Sequence, residues 1–131
     1  MSGIDHLLDT NVVIGLLKGH DAAVGLAREA GLVLGRAGVS QITRMELLGF
    51  PALTPEEDRA ARAFLSLCKT IGIHEDIEHR AIQLRRAGAL KLPDAVVAAT
   101  ALCMQAKLLT LDQRLARVVA HISDEGARGN A

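Results

Sequence analysis

Leu92-Pro93-Asp94-Ala95-Val96-Val97-Ala98-Ala99-Thr100-Ala101-Leu102-Cys103-Met104 sets a single acid at the mouth of an otherwise apolar segment. Pro93 suits the first turn of a helix, where a missing N–H costs nothing, so a helix is expected from about residue 93 with Asp94 in its first turn. Alanine favours the helix intrinsically. From Ala95 to Met104 only Thr100 is polar. A helix that is apolar on every face is buried on every face, and its small side chains let neighbouring backbones come close. Asp94 then stands at the rim of the core, where the partial positive charge of the helix N-terminus is expected to keep its carboxylate ionised and ready to hold a cation. A capping role alone would also account for an acid after a proline. What decides between the two is whether other acids reach the same spot.

Working outward, Ile4 to Leu8 reads as a short strand that ends in Asp9-Thr10-Asn11 and leads into a helix through Val12-Val13-Ile14-Gly15-Leu16-Leu17. Asp21 opens a second helix to about Glu29, and the glycine-punctuated stretch after it has its best strand at Ala37 to Ser40. Gln41 to Leu48 is expected to be helical, with Phe50-Pro51 as the break. Thr54-Pro55-Glu56-Glu57 is a capping box with proline in the first turn, leading a helix to about Lys69. Ile71 to His74 is a strand candidate. Glu75 to Gly88 is an amphipathic helix with Ile77, Ala81, Ile82 and Leu84 inward, its Glu75, Asp76 and Glu78 complementing the helix dipole. Beyond the residue 93–104 helix, Lys107 to Leu111 forms a strand ending at Asp112, followed by a short helix from Gln113 to about Val119 and a polar tail expected to fray from about residue 124. Strands that alternate with helices predict an α/β three-layer sandwich, a mostly parallel central sheet flanked by helices. One domain spans residues 1–131, with no internal repeat or linker.

The composition narrows the function classes. At 131 residues, half of them hydrophobic, the chain is globular and long enough to bury a core. Lysine plus arginine equals aspartate plus glutamate at 15 each, so contact with nucleic acid has to come from a local basic patch. Phe50 and Phe64 are the only aromatics, which argues against base-stacking platforms. Cys68 and Cys103 lie far apart without a CxxC pair and read as buried helical thiols of a reducing compartment. The histidines lack zinc-site spacing. With no basic-flanked apolar leader and no apolar run long enough to cross a bilayer, a soluble cytoplasmic protein is expected.

In a parallel α/β sheet, ligands bind beyond the carboxyl ends of the strands. Asp9 and Asp112 each follow a strand, Asp94 opens the helix before the second of these, and Glu46 lies on the helix after Ala37 to Ser40. Each also has a capping explanation: Asp9 or Asn11 before the first helix, a Thr43-to-Glu46 capping-box spacing, and Asp112 before the last helix. Jointly they predict a cation site, because carboxylates about 4 Å apart repel by roughly 4 kcal/mol per pair at an effective dielectric near 20. All-oxygen ligation suits Mg²⁺ or Mn²⁺, the usual activators of water for attack on a phosphodiester. Arg85, Arg86 and Lys91 precede Asp94 and are candidates for RNA phosphate contact, a solvated helix face being the alternative.

Leu7-Leu8-Asp9-Thr10-Asn11, Ser40-Gln41-Ile42-Thr43-Arg44-Met45-Glu46-Leu47-Leu48, Leu90-Lys91-Leu92-Pro93-Asp94-Ala95-Val96-Val97-Ala98-Ala99-Thr100-Ala101 and Leu109-Thr110-Leu111-Asp112, in that order and spacing, resemble a PIN-domain ribonuclease of the VapC toxin type. The likeness runs from about Ile4 to Val118. It implies that Asp9, Glu46, Asp94 and Asp112 form a metal-binding catalytic site, with Asn11 and Thr110 as polar support. It also implies dependence on Mg²⁺ or Mn²⁺, cleavage of RNA, assembly as a homodimer or toxin–antitoxin hetero-oligomer, and neutralisation by a cognate antitoxin. Members often carry an aromatic shortly after the fourth acid, where this chain has Gln113-Arg114-Leu115. The apolar segments Val12 to Leu17 and Met45 to Leu53 are expected to form a groove for an amphipathic antitoxin helix. Two other readings remain: a receiver-type signalling module, which lacks its acidic pair and phosphoacceptor pattern here, and a PIN-like fold kept only for binding.

Overall fold

A computed structural model of the chain describes residues 3–129. In chain order the elements are β1 (His6–Leu8), α1 (Thr10–Leu17), α2 (Asp21–Ala30), β2 (Ala37–Ser40), α3 (Gln41–Leu48), α4 (Pro55–Leu65), β3 (Lys69–Ile71), α5 (Glu75–Arg86), α6 (Leu92–Met104), β4 (Lys107–Leu109) and α7 (Gln113–Gly129). The strands form one sheet in the order β3-β2-β1-β4, every pair parallel. Because β2 and β3 lie on one side of β1 and β4 on the other, the winding reverses between β1 and β4. In open α/β sheets such a reversal leaves a crevice beyond the strand ends.

Successive strand residues face opposite sides of the sheet, and the core divides accordingly. Leu7 and Leu108, paired across β1 and β4, sit in a cluster with α5, α6 and α7. Their neighbours Leu8 and Leu109 pack with Val12 and Val13 of α1, Leu47 of α3 and Leu65 of α4. The two clusters are the filled spaces of the expected three-layer sandwich. In α6, every residue from Ala95 to Ala101 is buried, as its uniformly apolar sequence requires. The one hydroxyl among them, on Thr100, is satisfied by donating to the Val96 carbonyl at 2.7 Å. The α4 start forms as a reciprocal capping box, Thr54 Oγ1 accepting from the Glu57 N–H and Glu57 Oε1 from the Thr54 N–H. Gly15 is required where α1 crosses α2, since a Cβ there would lie 2.5 Å from that of Ala23.

Several local expectations are corrected. The last helix runs to Gly129 instead of stopping near Val119, while residues 130 and 131 lie outside the described residues. Leu115 and Val119 are buried and Val118 and Ile122 pack beside them, so the 3–4 spacing that holds a helix against the core continues past Val119. α4 ends at Leu65, four residues short of Lys69, which frees Lys69–Ile71 to form β3 in place of Ile71 to His74. Ile82 is exposed, because the i, i+4, i+7 stripe of Ile77, Ala81 and Leu84 already fills the contact with the core. Cys68 is half-buried in the bend after α4, and Cys103 is exposed on the last turn of α6. Val12 and Val13 belong wholly to the core, so of α1 only Ile14 and Leu17 reach the surface groove beside α3 and α4.

Candidate active site

The crevice between β1 and β4 is built around Asp9. Asp9 follows β1 directly, is only 7% exposed, and its backbone N–H continues the ladder to the Leu109 carbonyl. It caps α1, Oδ1 accepting from the Thr10 N–H at 2.8 Å, as the capping explanation predicts. Its other oxygen accepts from Thr110 Oγ1 at 2.7 Å and from Asn11 Nδ2 at 3.3 Å. Asn11 also bridges the two strand ends, its Oδ1 accepting from the Leu111 N–H at 3.0 Å and its Nδ2 lying 3.3 Å from Thr110 Oγ1. Thr110 Oγ1 in turn accepts from the Asp112 N–H at 3.0 Å. Asn11 and Thr110 thus hold Asp9 and Asp112 in place. Their hydrogen bonds go to carboxylate and backbone within the protein.

The other acids come from three helices or helix starts. Asp112 caps α7, one oxygen accepting from the Leu115 N–H at 3.1 Å, which leaves its second oxygen uncommitted. Glu46 of α3 is exposed and accepts from Thr10 Oγ1 at 2.7 Å. The Thr43–Glu46 capping box does not form: Ser40 caps α3, while Thr43 is fully buried with its hydroxyl 3.1 Å from that of Thr10. Thr10 and Thr43 are therefore parts of the site that spacing alone passed over. Thr10 could have been found as the residue after Asp9; the only local mark on Thr43 is the capping-box spacing to Glu46, which points to a different role.

Asp94 lies in the first turn of α6, partly exposed. Its carboxyl is pushed above the ordinary aspartate range, first by burial and then by the charges of Asp9, Asp112 and Glu46, with Lys91 acting the other way. The helix end therefore does not set the direction of the shift: desolvation and three like charges outweigh a fraction of a positive charge. It also places Asp9, Asp112 and Glu46 within electrostatic reach of Asp94.

No ion pair reaches any of the four among the described residues; the arginine–carboxylate pairs lie elsewhere, at Asp5–Arg36, Glu56–Arg59 and Asp58–Arg62. Nor do any three of the described acid, histidine or cysteine side chains stand close enough to close on one ion as they are. The donor chemistry nevertheless fits a hard divalent cation: four carboxylates, all oxygen, none of them in an ion pair among the described residues. Of the basic candidates, Arg85 and Lys91 line a cleft that opens onto Asp94 and Asp112, and Arg86 does not. Among the described residues no helix is long and apolar enough to cross a membrane.

Comparison with known proteins agrees with this topology. No curated protein sequence matches the chain. Among solved structures, a toxin–antitoxin complex from Klebsiella pneumoniae matches with 36% identity over 81% of this chain and 85% of that one, at a TM-score of 0.70. VapBC-1 from nontypeable Haemophilus influenzae matches at 25% identity, covering 86% and 92% of the two chains, with a TM-score of 0.66. FitAcB from Neisseria gonorrhoeae, at 24% identity, 88% and 93% coverage and a TM-score of 0.70, shares the fold. The PIN domain family model matches residues 6–120. That match takes in all four strands and all four acids, and the chain belongs to the PIN-domain family.

Proposed function

We propose that the protein is a metal-dependent endoribonuclease, the toxin of a VapC-type toxin–antitoxin pair, working in the cytoplasm. One observation supports the reading: at the reversal point of a parallel sheet, Asp9, Glu46 and Asp112 lie near enough to Asp94 for their charges to raise its proton affinity, and among the described residues no cationic side chain is ion-paired to any of the four. Such a gathering costs stability unless a cation offsets it. Mg²⁺ or Mn²⁺ held by these four would lower the pKa of a bound water and screen charge at the attacked phosphodiester.

The chain's own residues have distinct tasks in this scheme. Asn11 and Thr110 orient Asp9 and tie it to the start of the Asp112 turn. Thr10, backed by Thr43, holds Glu46 toward the same edge. Asp94, with its raised proton affinity, must release any proton before it can serve as a ligand. Without a cation the acids repel an approaching RNA phosphate, so substrate and metal binding reinforce each other. An antitoxin would seat an apolar helix face in the groove of about 170 Å³ lined by Ile14, Leu17, Phe50 and Leu53, which borders Glu46. Homodimerisation, alone or within a toxin–antitoxin hetero-oligomer, is part of the same proposal. The similar Klebsiella pneumoniae structure is itself a toxin–antitoxin complex.

The test uses purified protein. Mn²⁺ should bind only the folded state and stabilise it by about 2.7 kcal/mol at a hundred times its Kd. RNA should be cut internally with Mn²⁺ or Mg²⁺ and left intact in EDTA. A melting curve indifferent to either metal, or cleavage that survives EDTA, would overturn the reading.

A further inference from the structure

A cleft of about 420 Å³, within the rough 300–1,000 Å³ range of ligand sites, opens onto Asp94 and Asp112 and is walled by Arg85, Lys91 and Arg114. Arg114 sits in the first turn of α7, where a cation opposes the helix dipole at a cost of about 0.3–1 kcal/mol. Its position therefore does not serve the helix. Its Nη2 donates to the Ala89 carbonyl at 2.9 Å, and Arg85 Nη1 donates to the Leu90 carbonyl at 3.4 Å. Both acceptors lie in the turn between α5 and α6, which Gly88 enters at φ +83 and buried Leu90 anchors. Each guanidinium carries five donors, so a single bond to the turn fixes its place and leaves the others for a ligand. Three cations facing two carboxylates make this the favourable approach for a polyanion. The groove on the other flank is apolar, with Lys18 set against Glu46 and Glu57.

We propose that the cleft seats a backbone phosphate of the RNA strand next to the cleaved bond, with Arg114 as its main ligand and Arg85 and Lys91 as flanking charges. The proposal rests on the ribonuclease reading of the acidic edge. A guanidinium fork matches two phosphate oxygens at once, which a lysine cannot do. Because the contacts are to phosphate, they position the strand without selecting its bases.

The experiment measures binding of a short, mixed-sequence, fluorescent oligoribonucleotide to the full chain in EDTA, by anisotropy across a KCl series. Arg114→Gln should weaken binding about tenfold, the loss of one charge-assisted contact. It should also lower the slope of log K against log salt by about 0.7, one phosphate contact on a single strand. Lys91→Gln, whose side chain makes no bond at the α6 cap, should shift both in the same direction by less. Arg28→Gln, on α2, should change neither. The Mn²⁺-induced rise in Tm should persist in all three. Wild-type affinity and slope in both Arg114→Gln and Lys91→Gln would overturn the cleft while leaving RNA cleavage by the wild type to stand. If Arg114→Gln fails to fold, Lys91→Gln decides alone. A wild type that neither binds nor cuts RNA would overturn this proposal and the ribonuclease reading together.

Discussion

Asp9 and Asp94 belong to the same acidic edge and are held in opposite ways. Asp9 is buried and receives three hydrogen bonds, from Thr10, Asn11 and Thr110. Among the described residues no side-chain hydrogen bond or ion pair reaches Asp94, which is pushed toward its neutral form by burial and by the charges of Asp9, Asp112 and Glu46, with Lys91, one of the unpaired cations of its cleft, opposing them. The difference follows from the elements that carry them. A strand end can be braced by the neighbouring strand, and β4 supplies Thr110 for that purpose. A residue at the start of a wholly apolar helix has only the helix end and its own lysine to balance it. One acid of the edge is thus fixed in advance and another is left destabilised, with its charge satisfied only by something from outside.

Replacing each acid by its amide should break this contrast most visibly. Asp9→Asn and Asp94→Asn should each cut Mn²⁺-dependent RNA cleavage by about a thousandfold or more, with the double variant no worse than either, because a metal site acts as a unit. Their effects on the metal-free fold should diverge. Asp9→Asn puts an NH₂ among donors that need an acceptor and should destabilise by about 1–3 kcal/mol. Asp94→Asn relieves repulsion and should raise Tm in EDTA. Equal and parallel Tm changes would show that the two acids are held alike, contrary to the hydrogen-bond pattern.

A smaller loss should come from the brace itself. Thr110→Val keeps shape but removes the donor to Asp9 and the acceptor for the Asp112 N–H. Loss of such an outer-shell partner typically costs about 10–100-fold in metal affinity or activity. Thr10→Val, which frees the exposed Glu46 and removes the partner of the Thr43 hydroxyl but leaves the bonds of Thr110 and Asn11 to Asp9 intact, should cost less in metal affinity. Mn²⁺ titrations followed by cleavage rates would rank the two, and a larger loss at Thr10 would place the centre of the site at Glu46.

How much of this the sequence disclosed depended on the range of the interaction. Local rules found α6, the Thr54 capping box and the β2–α3 boundary, because proline, alanine content and cap spacing act within a turn or two. The parallel sheet followed from the alternation of strands with helices, while the opposite faces of Leu7 and Leu8, and of Leu108 and Leu109, emerge only from the folded sheet. So do the braces: Thr110 and Asp9 stand 101 residues apart, and Thr10 and Glu46 stand 36 apart. Arg114 meets its partner only through the turn at Ala89, 25 residues away, which no local rule reveals. α7 runs past Val119 because Leu115, Val118, Val119 and Ile122 tie it to the core at helical spacing. The Asp94 shift runs against the helix dipole because burial and three acids from other parts of the chain act on it together.

The smallest expected effect lies in that shift and its dependence on pH. The Asp94 carboxyl titrates above its unfolded value of about 3.8 when the chain is folded. Between those two values the folded protein holds a proton that the unfolded chain has lost, so metal-free stability falls as pH rises through the window. The contribution is fully present below the unfolded pKa and gone above the folded one. Because Asp94 is partly exposed, screening should keep the effect below about 1 kcal/mol. In EDTA, the Tm difference between Asp94→Asn and the wild type should therefore grow in favour of the variant from acid toward neutral pH. With saturating Mn²⁺ the order should invert, since the wild type alone gains the full metal contribution, and that gain should itself increase with pH as the carboxyl gives up its proton. Thermal melts of both proteins across this range, with and without Mn²⁺, make the check. Parallel Tm–pH curves in EDTA would mean that the four carboxylates do not feel one another, and the electrostatic case for a shared site would fail with them.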